Sequence, residues 1–376
     1  MSHRTAKFPT RPVAQLLGSN GPVHALAYSA SPGTYILAGS SDRSIRLYNP
    51  SSTTTTATTS KDNSITARPS PPVANHTIPT GRLIQTYTSH AYEVLSLSIS
   101  SSNAHFASAG GDRAVLLWDV STAQTIRRFG SASTTFSHTG RVNAVCFAGH
   151  EDSVVVSGGL DCTVRVWDAR SNSAKPVQVL SEARDAVSSL AVCDAEIVSG
   201  SVDGRVRGYD IRMGRCVTDV FPASVTSVCL AKDGRTVLVG SLDSKIRLMD
   251  RANGACLRTY GDEGWRNAEL RVQSVLGGGE RFVVAGDEMT APAGGDGAVA
   301  NEGRVWAWDL LTGKLVATVP VPWGNGSESR KKVIGRDGKE KARKNVVSCI
   351  AWKEGGFGDQ FSVGGTSGVV TVFGGG

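Results

Sequence analysis

The sequence predicts an all-β chain folded as a ring of seven four-stranded blades, and three observations carry that prediction. A unit made of a Gly/Ser pair, an Asp, an alternating apolar stretch and a closing aromatic–Asp pair recurs along the chain. From turn residue to closing position the offset is seven in every copy: 42 to 49, 112 to 119, 161 to 168, 203 to 210, 243 to 250, 302 to 309 and 367 to 374. Around the copies lie further short runs with apolar residues at every second position, the pattern of half-buried strands. The 43 glycines in 376 residues, against a usual share of roughly 7%, point to many tight turns, since glycine accepts positive φ without steric cost.

The copies run in order GSSDRSIRLYN (39–49), GGDRAVLLWD (110–119), GGLDCTVRVWD (158–168), GSVDGRVRGYD (200–210) and GSLDSKIRLMD (240–250), followed by the weaker NEGRVWAWD (301–309) and TSGVVTVFG (366–374). A second alternating run precedes several of them (154–157, 196–199, 236–239), another lies further upstream (94–99, 142–147, 187–192, 225–230), and a fourth follows (124–129, 177–180, 216–220, 256–260, 314–319). Four short antiparallel strands repeated seven times make a β-propeller. Setting aside an N-terminal tail of residues 1–11 and three insertions, 51–80, 287–300 and 324–344, leaves about 43 residues per blade, in keeping with the ~40–45 of such repeats. After Phe373 of the last copy only Gly374, Gly375 and Gly376 are left, while residues 12–17 read as an outer strand without its preceding three. The N-terminal strand is therefore expected to complete blade seven and to leave the ring no open sheet edge.

Composition excludes several classes. No apolar run approaches the ~18 residues of a membrane span, and the opening MSHRTAKFPTRP lacks the apolar stretch of a secretory signal. Seven cysteines are scattered without a CxxC pair. They read as reduced core thiols of a cytoplasmic and nuclear protein, not as a disulfide frame or a metal site. No GxxxxGK[ST] loop, HExxH or calcium-loop pattern occurs, so no cofactor and no metal are expected. Gly277–Gly279 form a turn with no helix to follow, a poor phosphate cradle. His150 falls in a connection at the wrong end of its blade and should face solvent.

The polar residues of the repeats form sets. His90, Ser108, Asp112 and Trp118 in blade two, and His138, Ser157, Asp161 and Trp167 in blade three, occupy the four positions that WD repeats, which these copies resemble, use for a hydrogen-bonded tetrad, in which a turn Asp accepts from His and His bridges to Ser and the Trp N–H. A Ser/His/Asp set invites comparison with hydrolases. Here the Ser sits inside a strand four residues before the Asp, not on an exposed elbow, so the sets read as structural tetrads and no catalytic residue is assigned. Asp42, Asp203 and Asp243 take the same turn place in blades one, four and five. Blade four has Ala183 where His would stand, and blade five has Phe221 and Val239 in the His and Ser positions, so these two blades are expected to be less rigidly braced.

The copies resemble the WD-repeat family, whose tetrads these sets match position by position. More specifically, HAYEVL (90–95), GGDRAVLLWDV (110–120), EARDAVSS (182–189), GSVDGRVRGYDIRMG (200–214) and GSLDSKIRLMD (240–250) resemble the mitogen-activated protein kinase organizer 1 family, the WD repeat domain-containing protein 83 type. The likeness covers blades one to five well and fades in blades six and seven. It implies a non-enzymatic scaffold that assembles kinase-cascade components and associates with the spliceosome. Trp167-Asp168-Ala169-Arg170 and Tyr209-Asp210-Ile211-Arg212 also resemble the WDxR box of cullin–RING ubiquitin ligase receptors, which makes Arg170 and Arg212 candidate adaptor contacts.

The remaining candidates are loops. Residues 51–80 hold fourteen Ser/Thr and four Pro and cannot bury a core; Ser70-Pro71 would suit a proline-directed kinase. The Gly/Ala-rich 287–300 should be flexible. Residues 324–344 carry eight Lys/Arg and three acidic residues, a charge run that reads as a solvated loop. They also offer a weak RNA contact through Arg330, Lys331, Lys332, Lys341, Arg343 and Lys344, without interleaved aromatics for stacking. For protein partners the candidate surface is an arc of turns: Tyr92, Glu93 and Arg113 in blade two, Arg141 in blade three, and Arg184, Asp185 and Arg205 in blade four. The propeller itself is expected to be monomeric.

Overall fold

A computed structural model describes residues 7–51, 78–130, 136–288, 302–323, 345–353 and 359–375. Its strands form seven separate four-stranded antiparallel sheets. Blade one consists of Val23–Tyr28, Ile36–Ser40, Ile45–Asn49 and Arg82–Tyr87, from the axis outward, and the next five repeat the plan from Val94 to Val321. In blade seven the chain supplies Val347–Trp352, Gln360–Gly365 and Val370–Gly374, and Arg11–Leu16 adds the fourth strand beside Val370–Gly374. The ring closes as the sequence predicts. Its last residues to pair come from opposite ends of the chain, Arg11 with Gly374.

Two features extend that closure beyond the sequence reading. Phe8, assigned to the N-terminal tail of residues 1–11, is buried. Its ring lies 5.2 Å from Phe282 and 5.4 Å from Phe361, pinning the chain between blades six and seven. The end of the 51–80 insertion is also structural: Gln15 donates its N–H to the carbonyl of Pro79 at 2.8 Å, and Gly81 donates to the carbonyl of Gln15 at 2.8 Å. The chain re-enters blade one along the outer side of the closing strand and covers its edge. Ser70 and the rest of 52–77 lie outside the described residues.

The glycines of the repeat have another use than the one composition suggests. At the turn residue after the Asp, positive φ is taken by Arg43, Arg113, Cys162 and Ser244, with glycine only at Gly204; in blade seven Gly368 takes it after Ser367. Gly39 and Gly158 instead lie within second strands. A Cβ on Gly39 would come within 2.7 Å of Val94, and one on Gly158 within 2.6 Å of Val187. In both cases the valine opens the next blade. The glycine lets adjacent sheets approach, so apolar clusters run between blades, as where Leu37, Ile45 and Leu47 of blade one meet Val94, Phe106 and Trp118 of blade two. The cysteines also divide differently from expectation. Cys349 is buried, but Cys216 and Cys256 are exposed on outer strands and are not core thiols.

Candidate functional site

In blades one to five the turn between second and third strands places an Asp on one face of the ring, and that Asp organises the turn of the neighbouring outer-to-inner connection. In blade two, Nδ1 of His90 donates to Asp112 at 2.9 Å, Nε2 of His90 meets Ser108 at 2.7 Å, and Trp118 Nε1 donates to Ser108 at 2.8 Å. Blade three repeats this through His138 with Asp161 and Ser157 at 2.9 and 2.8 Å, and Trp167 with Ser157 at 2.8 Å. Both serines are fully buried. With a carboxylate at one end and an indole at the other, the chain of donors runs one way, and the hydroxyl is occupied on both sides. These sets brace strands; no substrate carbonyl reaches the serines.

Blades one, four and five carry a different set at the same turn, one that the sequence reading of blades four and five did not include. Asp203 accepts from Arg207 Nη2 at 2.6 Å, from the backbone N–H of Arg184 at 3.1 Å and from the Ser201 hydroxyl. Asp243 accepts from Arg247 Nη2 at 2.5 Å and Ser241 at 2.6 Å. Asp42 accepts from Arg46 Nη2 at 2.8 Å and the Asn20 N–H at 3.0 Å. A bidentate-capable guanidinium thus does in these blades what imidazole does in blades two and three. The signal was in the sequence as Asp-x-x-x-Arg, and blade three carries it too, with Arg165 3.4 Å from Asp161.

Blade six departs again. Asp287 and Glu288, the first residues of the segment read as a flexible insertion, are buried. Asp287 accepts from Trp306 Nε1 and Arg304 Nη2, each at 2.8 Å. Glu288 accepts the backbone N–H groups of Ala268 and Glu269 at 3.0 and 2.9 Å. The insertion leaves an anchored root, and residues 289–301 lie outside the described residues.

The turn carboxyls set an acid limit on stability. Burial alone would raise Asp112, but the His90 hydrogen bond and charge and the N–H groups of Ala91 and Ala114 outweigh it and hold the carboxyl low. In the same way Arg207, Ser201 and the Arg184 N–H overcome burial and bring Asp203 to about 2. Groups depressed in the folded state below the ordinary carboxylate value of about 3.9 stabilise fully above that pH and lose the contribution as pH falls towards the folded value. The melting temperature is therefore expected to be level from about pH 5 to 7 and to drop steeply between about pH 4 and 2. A melt unchanged to pH 2.5 would contradict these bonds.

The same bonds hold the candidate arc. Ala91 and Thr139 donate their N–H groups to Asp112 and Asp161 at 3.0 and 3.1 Å, as Arg184 does to Asp203. Tyr92, Arg113, Arg141, Arg184 and Asp185 are exposed and Glu93 partly so, on consecutive turns of blades two to four. Arg205 stands apart from them. It is less exposed, and its guanidinium lies 3.7 Å from Asp203, so its charge is partly spent within the clamp.

On the opposite face Arg170 is exposed and ion-paired with exposed Glu151 at 2.9 Å, and Arg212 is exposed. In both boxes the Asp caps its own turn, Asp168 accepting from the Arg170 N–H at 2.8 Å and Asp210 from the Arg212 N–H at 2.9 Å. Asp119 and Asp250 do the same without an Arg at that place. His150 is almost fully exposed. The basic residues Arg330, Lys331, Lys332, Lys341, Arg343 and Lys344 lie outside the described residues. Among the described residues no group of three or more His, Cys, Asp or Glu is placed to hold a metal ion.

Known proteins share this pattern. The model of the WD domain, G-beta repeat, matches residues 10–49, 81–119, 130–168 and 214–250. The first match begins in the closing strand and continues through three strands of blade one, so the sequence repeat is offset by one strand from the blade. WD repeat domain-containing protein 83 of Rattus norvegicus is 36% identical over 318 residues, covering 85% of each chain. The WD repeat domain-containing protein 83 homolog of Dictyostelium discoideum is 26% identical over 330 residues, covering 80% of this chain and 86% of its own. Autophagy-related protein 16 of Arabidopsis thaliana is 24% identical over 239 residues, 63% of this chain and 43% of its own.

Proposed function

Because the chain belongs to the WD-repeat family of WD repeat domain-containing protein 83, we propose that it is a non-enzymatic scaffold that assembles protein complexes. The complexes are those of pre-mRNA splicing or of a mitogen-activated protein kinase cascade, in cytoplasm and nucleus. The observation that carries this reading is the arc on blades two to four. Its exposed Tyr92, Arg113, Arg184 and Asp185 stand on or beside turns tied by hydrogen bonds to the half-buried Asp112 and Asp203. Side chains on turns held in this way lose little conformational freedom on binding, so both charges and an aromatic can be spent on specificity.

Affinity purification of the tagged full chain with mass spectrometry tests the assignment. Spliceosomal proteins or kinases of one cascade are the expected co-purifying set. Recovery of a cullin–RING adaptor instead, lost on Arg170→Ala with Arg212→Ala, would make the chain a ligase receptor. Capture of RNA alone, falling steeply with salt and dependent on residues 330–344, would make it an RNA-contacting subunit.

A further inference from the structure

Six of the seven innermost strands start at the Asp-turn face with the same irregularity. After Val23, Val94, Val142, Val187, Val225 and Val347 the pairing register skips one residue. The skipped residues, among them His24, Asn143 and Ser188, gather at the mouth of the central channel, where several join neighbouring blades. Asn143 Nδ2 donates to the Val187 carbonyl at 2.8 Å, and Ser188 Oγ to that of Val225 at 2.6 Å.

One side chain crosses this mouth. Arg271, just before the innermost strand of blade six, donates from Nη1 to the carbonyl of Asn143 in blade three at 2.9 Å. Blades six and three lie on opposite sides of a seven-membered ring. A guanidinium has five N–H donors. Arg271, only partly exposed, has this one hydrogen bond and no carboxylate within 4.0 Å among the described residues. Arg46, Arg165, Arg207, Arg247 and Arg304 on this face, by contrast, each have an Asp within 4.0 Å. Arg141, two residues from Asn143, brings a second positive charge. Burial first and the Arg141 charge second hold Arg271 down to about 10, still a full cation at neutral pH. His24 faces the same mouth and is pushed down by burial, while the negative charge of Glu93 raises it and Arg271 lowers it.

We propose that the mouth of the central channel is a binding seat for one small oxyanion, a phosphate or carboxylate group, held by Arg271 with Arg141. A half-buried charge left without a counter-charge is costly, and the planar fork of Arg matches both oxyanion classes with two parallel hydrogen bonds. Glu93 of blade two opposes the anion, so the seat is selective for a single group and modest in strength. This site does not depend on the partner reading of the arc, and a protein that binds no spliceosomal or kinase partner would still show it.

The full chain is melted in sodium phosphate, sodium acetate and sodium chloride at matched ionic strength and pH. Wild type is expected to melt a few degrees higher (about 2–4 °C) in phosphate or acetate than in chloride when the anion exceeds its Kd severalfold. Which of the two raises it more identifies the preferred oxyanion. Arg271→Gln and Arg141→Gln should lose most of that difference, and Glu93→Gln should enlarge it. Arg141→Gln and Glu93→Gln carry the test if Arg271→Gln does not fold. Equal melting of wild type in all three salts, or an unchanged difference in Arg141→Gln and Glu93→Gln, overturns the proposal.

Discussion

Deletion of residues 1–18 is expected to lower the melting temperature by on the order of 10 °C or more and to promote aggregation. The deleted stretch supplies the whole outer strand of blade seven, paired with Val370–Gly374. It also supplies Ala14 and Leu16, which pack with Val23, Ile36 and Val372 across the seam between blades seven and one. Phe8 goes with it, and emptying an aromatic site of that kind alone costs about 3–5 kcal/mol. Without the strand, Val370–Gly374 becomes an exposed edge with unpaired N–H and C=O groups, a template for intermolecular pairing. Gln15 is lost as the partner of Pro79 and Gly81, so blade one is loosened as well. Phe8→Ala should fall between wild type and the deletion. Thermal melts with light scattering check the order, and a deletion that melts with wild type would refute closure through the N-terminus.

Arg207→Ala is expected to cost about 3–5 kcal/mol, because it strips a buried carboxylate of its counter-charge. Arg207 is buried and the side chain of Asp203 is largely covered, and their closest contact is 2.6 Å. The loss should exceed that of replacing both residues by apolar ones, since the uncompensated Asp203 charge, not the vacated volume, dominates. The pH dependence separates these causes. With Arg207 gone the Asp203 carboxyl rises from about 2, so in acid it binds a proton and its desolvation cost falls. The gap between variant and wild type should therefore narrow below about pH 4. Val217→Thr, on the exposed outer strand of the same blade, is expected to stay within about 0.5 kcal/mol. Urea unfolding of the three proteins at pH 7 and pH 3.5 measures this, and equal stability of Arg207→Ala and wild type at pH 7 would remove the clamp from the account.

Strands, blade number and closure could be read from the chain because they depend on local spacing: a period of two, a constant offset of seven and one strand too many at the start. The tetrads were legible for the same reason, as His90 and Asp112 keep the spacing of His138 and Asp161 to within a residue. What escaped depends on approach in space. Phe8 is a lone aromatic in a polar tail until Phe282 and Phe361, hundreds of residues away, cover it. Asp287 and Glu288 resemble a solvated pair beside a Gly/Ala run until Trp306, Arg304 and the 268–270 backbone claim them. Composition cannot tell a glycine in a turn from one, such as Gly39, that admits Val94 of the next blade. The Asp-x-x-x-Arg clamp was present in plain sight, but its meaning requires knowing that the tight turn folds position four back onto position zero.

Under the proposed function, the arc on blades two to four captures protein partners while the ring beneath it stays unchanged. Arg113→Glu combined with Arg184→Glu tests it, since both side chains are exposed and neither guanidinium is ion-paired among the described residues. Arg205 is left alone because it touches Asp203. Quantitative affinity purification of wild type and double variant, alongside their melts, should show the spliceosomal or kinase partners reduced at least about tenfold, a loss of roughly 1.4 kcal/mol, with the melting temperature preserved. Equal recovery of those partners by the double variant would place the docking surface elsewhere on the ring.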